Sequence, residues 1–324
     1  MEGSKSFSKN FMQRHSIPTA AFANFDDYDA AKQYLETVQH SVVIKADGLA
    51  GGKGVVLPTS KAEGLAALDS MMHAREFGDA GASVVIEELL EGPELSILSL
   101  SDGHSILSLP PAQDHKRIFD NDLGPNTGGM GTYAPTPLVS AAQLAEIEKT
   151  ILQPTIDGLR DEGLIFRGCL FTGLMLTKDG PKVLEYNVRF GDPETQSCLA
   201  LLESDLAELM VACCDGTGLA SKSLSIRPGS ACTVVVAAGG YPGSYAKGTP
   251  MKVRSPNDGD ALYHFHAGTA LSNDGQLSTS GGRVIAATAT AKTLREAVDK
   301  AYEGAKMIEF EGMQYRKDIA QRAL

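Results

Sequence analysis

The stretch VVIKADGLAGGKGVV, Val42 to Val56, constrains the fold more than any other part of the chain. Two apolar runs rich in β-branched residues flank a glycine-rich turn, which reads as two strands joined by a hairpin. A Walker A loop is excluded, because it needs G-x-x-x-x-G-K followed by Ser or Thr. Here Gly48 stands one residue too close to Gly52, and Gly54 follows Lys53. What remains is an antiparallel pair with Lys45 on a strand and Lys53 in the turn. Either these are two solvated lysines beside a hairpin, or they are a phosphate clamp of another kind.

At 324 residues the chain is long enough for about two domains. A formal charge of −11 argues against a general nucleic-acid binder, which would carry a basic face. It leaves room for a local basic pocket. Cys169, Cys198, Cys213, Cys214 and Cys232 form no C-x-x-C pair and are odd in number, so neither a zinc site nor a disulfide framework is indicated. A reducing, cytoplasmic setting fits that usage. No apolar run approaches the roughly 20 residues of a membrane span, and the N-terminus lacks the apolar core of a signal peptide.

Helix and strand patterns alternate along the first part. Tyr28, Ala31, Leu35 and Val38 fall on one helical face, and Ser60 with Glu63 opens a further helix. SVVIEELL is an apolar strand. ELSILSLSDGHSILSLPP holds two strand-like runs around an Asp-Gly turn. Pro110 to Pro135 shows almost no periodicity, and a structureless segment of that length points to function. A helix is expected from Ser140 to about Asp161, kinked or split at Pro154. CLFTGLMLTKDGPKVLEYNVRF reads as a hairpin, and Pro193 to Cys214 as helical. Composition shifts toward Ser and Gly near LASKSLSIRPGS, and a β-rich region with one late helix follows, opened by Thr293 with Glu296.

The richest stretch for chemistry is KVLEYNVRFGDPETQ. On a strand, side chains alternate between faces. Leu184, Tyr186 and Val188 are expected to face a core, and Glu185, Asn187 and Arg189 to stand in a row on the other side. The two oxygen ligands suit Mg²⁺, which takes its other ligands from phosphate and water. Arg189 suits a carboxylate or phosphate, bound bidentately. The alternative is the polar face of a surface strand. His264 and His266 also alternate on one face, but with no third ligand nearby we read them as strand surface, and Gly281 to Arg283 as a turn.

Lys45, Lys53, the IEELL strand, Glu94 and E-x-N-x-R, in that order, resemble the ATP-grasp superfamily. VIKADGLAGGKGV, PPAQDHKR, GPNTGGMGTYAP and RFGDPETQ resemble phosphoribosylamine–glycine ligases in particular. The resemblance runs from SKSFSKNFM to YRKDI, essentially the whole chain. It implies an α+β fold in which two α+β subdomains clamp ATP, followed by a smaller β-rich C-terminal domain. The divisions expected are 1–16 with 91–219 for the main subdomain, 17–90 for the flap and 220–324 for the last domain. Family members begin with a Rossmann-like domain, so this chain is expected to be a truncated form.

The resemblance further implies ATP-driven joining of glycine to 5-phosphoribosylamine, with Mg²⁺ or Mn²⁺, and fusion to other purine-pathway domains in a parent protein. No nucleic-acid or membrane partner is expected. ATP would meet Lys45, Lys53, Glu87, Glu88, Leu90 and Glu94, with backbone groups of IEELL at adenine and Glu94 at the ribose. Glu185 and Asn187 would hold the metal. Arg189, Asp114 and Lys116 are the candidate catalytic residues. His115, Arg117, Gly128, Gly129, Gly131 and Asp192 are the candidate substrate-binding ones, with His115 open to a proton-carrying or a structural role. Two other readings stay open: a different ATP-grasp carboxylate–amine ligase, or a module that binds ATP without turnover.

Overall fold

The structure is a computed structural model that describes residues 1–50, 54–216, 218–257, 259 and 261–324. Lys53 therefore lies outside the described residues, together with Gly51 and Gly52. Three antiparallel sheets organise the molecule.

The first sheet runs Phe22–Phe25, Val84–Glu88, Val42–Ala46, Val55–Val56. The expected hairpin forms, with Lys45 opposite Val55. Its other neighbour is the IEE strand, where Lys45 lies opposite Val85. Helices Tyr28–Thr37 and Lys61–Leu68 cover one face and bury Ala31, Leu35, Ile44, Leu68 and Ile86 together.

The second sheet runs Gly180–Asn187, Gly168–Thr177, Glu94–Ser101, Ile106–Ser108. Both faces are covered, so its strands are apolar on both sides. Leu95 and Ile97 meet the helices Lys5–Arg14 and Gln153–Asp161. Leu98 and Leu100 meet a core built with Cys198, Leu209 and Cys213. The helix holding Pro154 is divided, as expected, into Ala141–Ile147 and Gln153–Asp161. A wide turn, closed by the Gln153 N–H on the Glu148 carbonyl, leads into the second half, so the proline sits near a fresh helix start where its missing N–H is tolerated. Pro193 to Cys214 is two helices, Glu194–Ala200 and Leu206–Asp215, the second restarted by Asp205 capping Ala207 and Glu208.

The third sheet runs Leu262–His266, Arg283–Ala291, Ser230–Ala237, Gly131–Ala134, Gln113–Asp114, with helix Leu294–Ala305 against it. Its last two strands come from the segment expected to be structureless. Pro110 to Pro135 also carries a second hairpin, Arg117–Phe119 with Leu123–Asn126. Strands of two to four residues are too short to show a period, and glycines and prolines fill much of them. That segment joins the second and third sheets. No described helix is long and apolar enough to cross a membrane, and all five cysteines are free.

Candidate active site

The row expected on KVLEYNVRF is only partly regular. Between Gly173 and Leu174 the register shifts, so Glu185 pairs with Gly173 while Val183 pairs with Leu174, and Leu184 is the extra residue. This bulge changes which residues fill the core. Val183 and Tyr186 are buried, Leu184 is half-buried and Val188 is exposed. Leu184 and Val188 are thus not the core pair that strict alternation predicts. Glu185 and Asn187 keep a common side. The strand ends at Asn187, and Arg189 reaches back to it at 3.5 Å from the loop beyond.

Four cations converge on Glu185. Burial alone would raise its carboxyl, but Lys116, Lys45, Lys5 and Arg189 more than offset that and hold it below its usual range. The Lys45 Nζ donates to the Leu184 carbonyl at 3.3 Å and pairs with Glu87 at 2.9 Å. The Lys5 Nζ donates to the carbonyls of Ala46 and Gly48. Lys116 pairs with Glu94 at 2.9 Å. Burial opposes its charge, yet Glu94, Glu185 and Asp114 together hold it protonated well above its ordinary range.

Two carboxyls lie beside this cluster with the opposite tendency. Asp114 is pushed well up by burial first and by Glu194 second. Glu194, itself buried and accepting the Ser96 hydroxyl at 3.1 Å, is raised chiefly by burial. Two neighbouring carboxyls out of water favour sharing a proton over carrying two charges. A group poised this way suits the binding of an ammonium, which would restore both charges.

Several expected ligand contacts are occupied by protein. Glu87 is the shared counter-ion of Lys45 and of buried Lys9, at 2.9 and 2.8 Å. Glu88 pairs with Lys182, tying the first sheet to the second. Arg117 turns onto the Gly124 carbonyl of its own hairpin at 2.6 Å. His115 is buried, with one ring nitrogen at the Gly131 carbonyl and the other accepting the Ala320 amide. Both ring nitrogens are thus taken by backbone groups. The glycines answer protein packing too. A Cβ on Gly129, which has φ +111°, would lie 2.9 Å from the Asp114 carboxylate. One on Gly131 would lie 2.5 Å from the Thr233 carbonyl, and one on Gly128 3.0 Å from the Arg283 guanidinium.

Arg283 is the main residue the motif pattern missed, having read as part of a turn. It donates to the Gly128 and Asp192 carbonyls, both at 2.7 Å, and pairs with the Asp192 carboxylate at 2.9 Å. Asp192 is therefore a link to the third sheet, besides accepting Gln196 at the helix start. Tyr241 adds a hydroxyl that accepts the Gly128 amide at 2.9 Å. Lys5 and Lys9 were also overlooked, and Glu194 was read only as complementing a helix dipole. The first two had a signal in their i, i+4 spacing on one helical face; Arg283 and Tyr241 had none.

The donors that would take a cation are one carboxylate and one amide oxygen, Glu185 and Asn187. Among the described residues no group of three His, Cys, Asp or Glu is placed for a metal. The pair therefore fits a hard divalent ion that arrives with phosphate oxygens of its own.

Comparison with known proteins decides the family. Residues 3–195 match the model for the phosphoribosylglycinamide synthetase ATP-grasp (A) domain, and 231–322 the model for the C domain of the same synthetase. The chain belongs to this family. Among phosphoribosylglycinamide synthetase relatives, the bifunctional purine biosynthetic protein ADE1 of Schizosaccharomyces pombe is 57% identical over the whole chain, which spans 41% of that protein. The chloroplastic phosphoribosylamine–glycine ligase of Arabidopsis thaliana is 45% identical, again over the whole chain and 62% of its own length. The crystal structure of phosphoribosylamine–glycine ligase from Thermotoga maritima superposes with a TM-score of 0.90 at 38% identity, covering 98% of this chain and 79% of that one. The biotin carboxylase domain of a Hydrogenobacter thermophilus 2-oxoglutarate carboxylase, at 17% identity and a TM-score of 0.76, shares the fold. The first two sheets lie within the residues matched by the A-domain model, and the third joins strands from both matched regions.

Proposed function

We propose that this chain carries the ATP-dependent ligation of glycine to 5-phosphoribosylamine, giving glycinamide ribonucleotide, ADP and phosphate. The observation that supports this most is the convergence of Lys5, Lys45, Lys116 and Arg189 on ionised Glu185, between two ATP-grasp sheets, in a chain of the synthetase family. Such a cluster suits a triphosphate, where most of the work is positioning and neutralising charge.

Glycine's carboxylate attacks the γ-phosphorus and ADP leaves, forming glycyl phosphate. The amine of phosphoribosylamine then attacks the acyl carbon and expels phosphate. Lys5 and Lys45 hold the phosphates, and Arg189 steadies the carboxylate and then the acyl phosphate. Lys116, kept charged by its three carboxylates, faces the anion that moves. Asp114 and Glu194 receive the glycine ammonium, trading their shared proton for it. Glu94 would reach the ribose hydroxyls by leaving its pair with Lys116. Glu185 and Asn187 would hold Mg²⁺, which when bound neutralises phosphate charge.

The ADP-release assay tests this. Release that needs both glycine and 5-phosphoribosylamine is the expected result. ATP binding with no glycine-dependent release would leave a nucleotide-binding module, and a demand for another carboxylate would sink the substrate assignment. The names of the bifunctional and trifunctional purine biosynthetic relatives support a unit joined to further pathway domains.

A further inference from the structure

His115 stands between two residues of the cleft, yet its ring looks the other way. It is 1% exposed. Its Nδ1 lies 3.2 Å from the Gly131 carbonyl, and its Nε2 lies 3.2 Å from the Ala320 amide nitrogen. An amide N–H only donates, so Nε2 is the bare nitrogen and Nδ1 carries the proton given to Gly131. The tautomer is set by these two backbone groups.

The amide that sets it belongs to Tyr315–Ala320, a segment stitched down throughout. Buried Arg316 forks onto Asp318 at 2.8 and 2.7 Å and reaches Asp122 at 2.8 Å and the Arg117 carbonyl at 3.1 Å. Asp120 accepts the Lys317 amide and Asp318 the Asn121 amide. The Ile319 amide donates to the Tyr302 hydroxyl, and its side chain fills the space where a Cβ on Gly131 would lie, 2.8 Å from Ile319 Cδ1. Neighbouring residues of an extended chain point to opposite sides. With His115 turned inward onto this segment, Asp114 and Lys116 are turned toward Glu194 and Glu94.

We propose that Tyr315–Ala320 is a positioning element of the active site, acting through a His115 ring held by the Gly131 carbonyl and the Ala320 amide to aim Asp114 and Lys116. The kinetic half of its test rests on the ligase reading above; the spectroscopic half does not. The ring is faced by Arg316 and Arg322, by Asp122 and Asp318, and by the Tyr133 ring at 6.1 Å. Burial and the two arginines push it down to about 3.

Long-range ¹H–¹⁵N spectra of the histidine side chains give the first arm. One ring, absent in His115→Gln, is expected in the Nδ1–H form and unchanged from pH 5 to 9. A ring that titrates near neutrality, or one in the Nε2–H form, overturns the proposal. Kinetics give the second. His115→Leu is expected to lower kcat/KM for glycine about 10²-fold, the scale of a small misplacement, with KM for ATP nearly unchanged. His115→Gln, whose carbonyl oxygen still accepts the Ala320 amide, is expected to recover about tenfold. Where His115→Leu does not fold, Arg316→Lys keeps the charge but loses the fork, and is expected to show the same split at about tenfold. Wild-type glycine kinetics, or equal losses for ATP and glycine, would overturn the positioning role. A wild-type enzyme inactive with glycine would remove the ligase reading and leave the spectroscopic arm intact.

Discussion

Two groups of charges lie on either side of the segment Asp114–Arg117, and they are built on different rules. On the inner side Arg316 is 2% exposed, and its fork and spare N–H groups are met by Asp318, Asp122 and a carbonyl. On the cleft side four cations act on Glu185, Lys45 and Lys116 are held as well by Glu87 and Glu94, and Arg189 is more than half exposed beside Glu2. A cluster whose members answer one another holds the fold together. A cluster partly open to water, whose members can exchange partners, is placed to meet a charged ligand. The contrast separates structural charge from functional charge without reference to motif.

The sharpest way to break that contrast is to remove one charge from each side. Glu185→Gln is expected to cut turnover by about 10²–10³-fold, the usual cost of one preorganised electrostatic contact, and Arg189→Ala by about 10². Neither side chain supports a core, so urea midpoints are expected to stay close to wild type. Near-normal rates for both variants would mean that the cleft row is only a polar surface. On the inner side Arg316→Met is expected to do the reverse. Removing it takes charged hydrogen bonds from two partly exposed carboxylates and a carbonyl, which costs about 2 kcal/mol. The urea midpoint falls at unchanged slope, so the loss is in stability and not in compactness. A stable Arg316→Met variant would sink the inner reading.

Arg283 belongs to neither side cleanly, and sharpens the comparison for that reason. It bridges the Gly128 and Asp192 carbonyls from the third sheet. Arg283→Ala is expected to cost about 1–2 kcal/mol of stability, typical of bonds made by a charged donor, and roughly tenfold in kcat/KM for the amine substrate. An effect on stability alone would assign it to the inner class.

How far these rules were legible in the chain varies by region. The hairpin around Lys45 and the Lys178–Gly180 turn followed from pattern, because apolar runs flank a clear turn signal in each. The row at Glu185 was visible as spacing, but the bulge at Leu184 was not, since one inserted residue leaves no mark on composition. In Pro110–Pro135 two- to four-residue strands gave no period, and their partners lie far off in the chain: Tyr133 faces Cys232. His115 looked like chemistry because a histidine beside Asp and Lys usually is. Its burial is decided by Ala320, 205 residues away. Arg283 and Tyr241 were hidden for the same reason, as contacts between sheets have no local spacing.

The smallest effect concerns pH and isolates one partner of the inner cluster. Burial would raise Asp318, but the Arg316 fork and the Asn121 amide outweigh it and hold the carboxyl at about 2, below its ordinary 3.8. A carboxyl with a depressed folded value binds fewer protons folded than unfolded, so it stabilises above its unfolded value and that contribution fades as pH falls toward about 2. Asp318→Asn keeps the shape and removes the charge. It is expected to be less stable than wild type by about 1–2 kcal/mol at pH 7, as for a hydrogen bond to a charged group. The gap should narrow between pH 4 and pH 2, read as converging urea midpoints. A gap that holds constant across that window would mean that Asp318 contributes through shape alone, and that Arg316 is neutralised chiefly by Asp122.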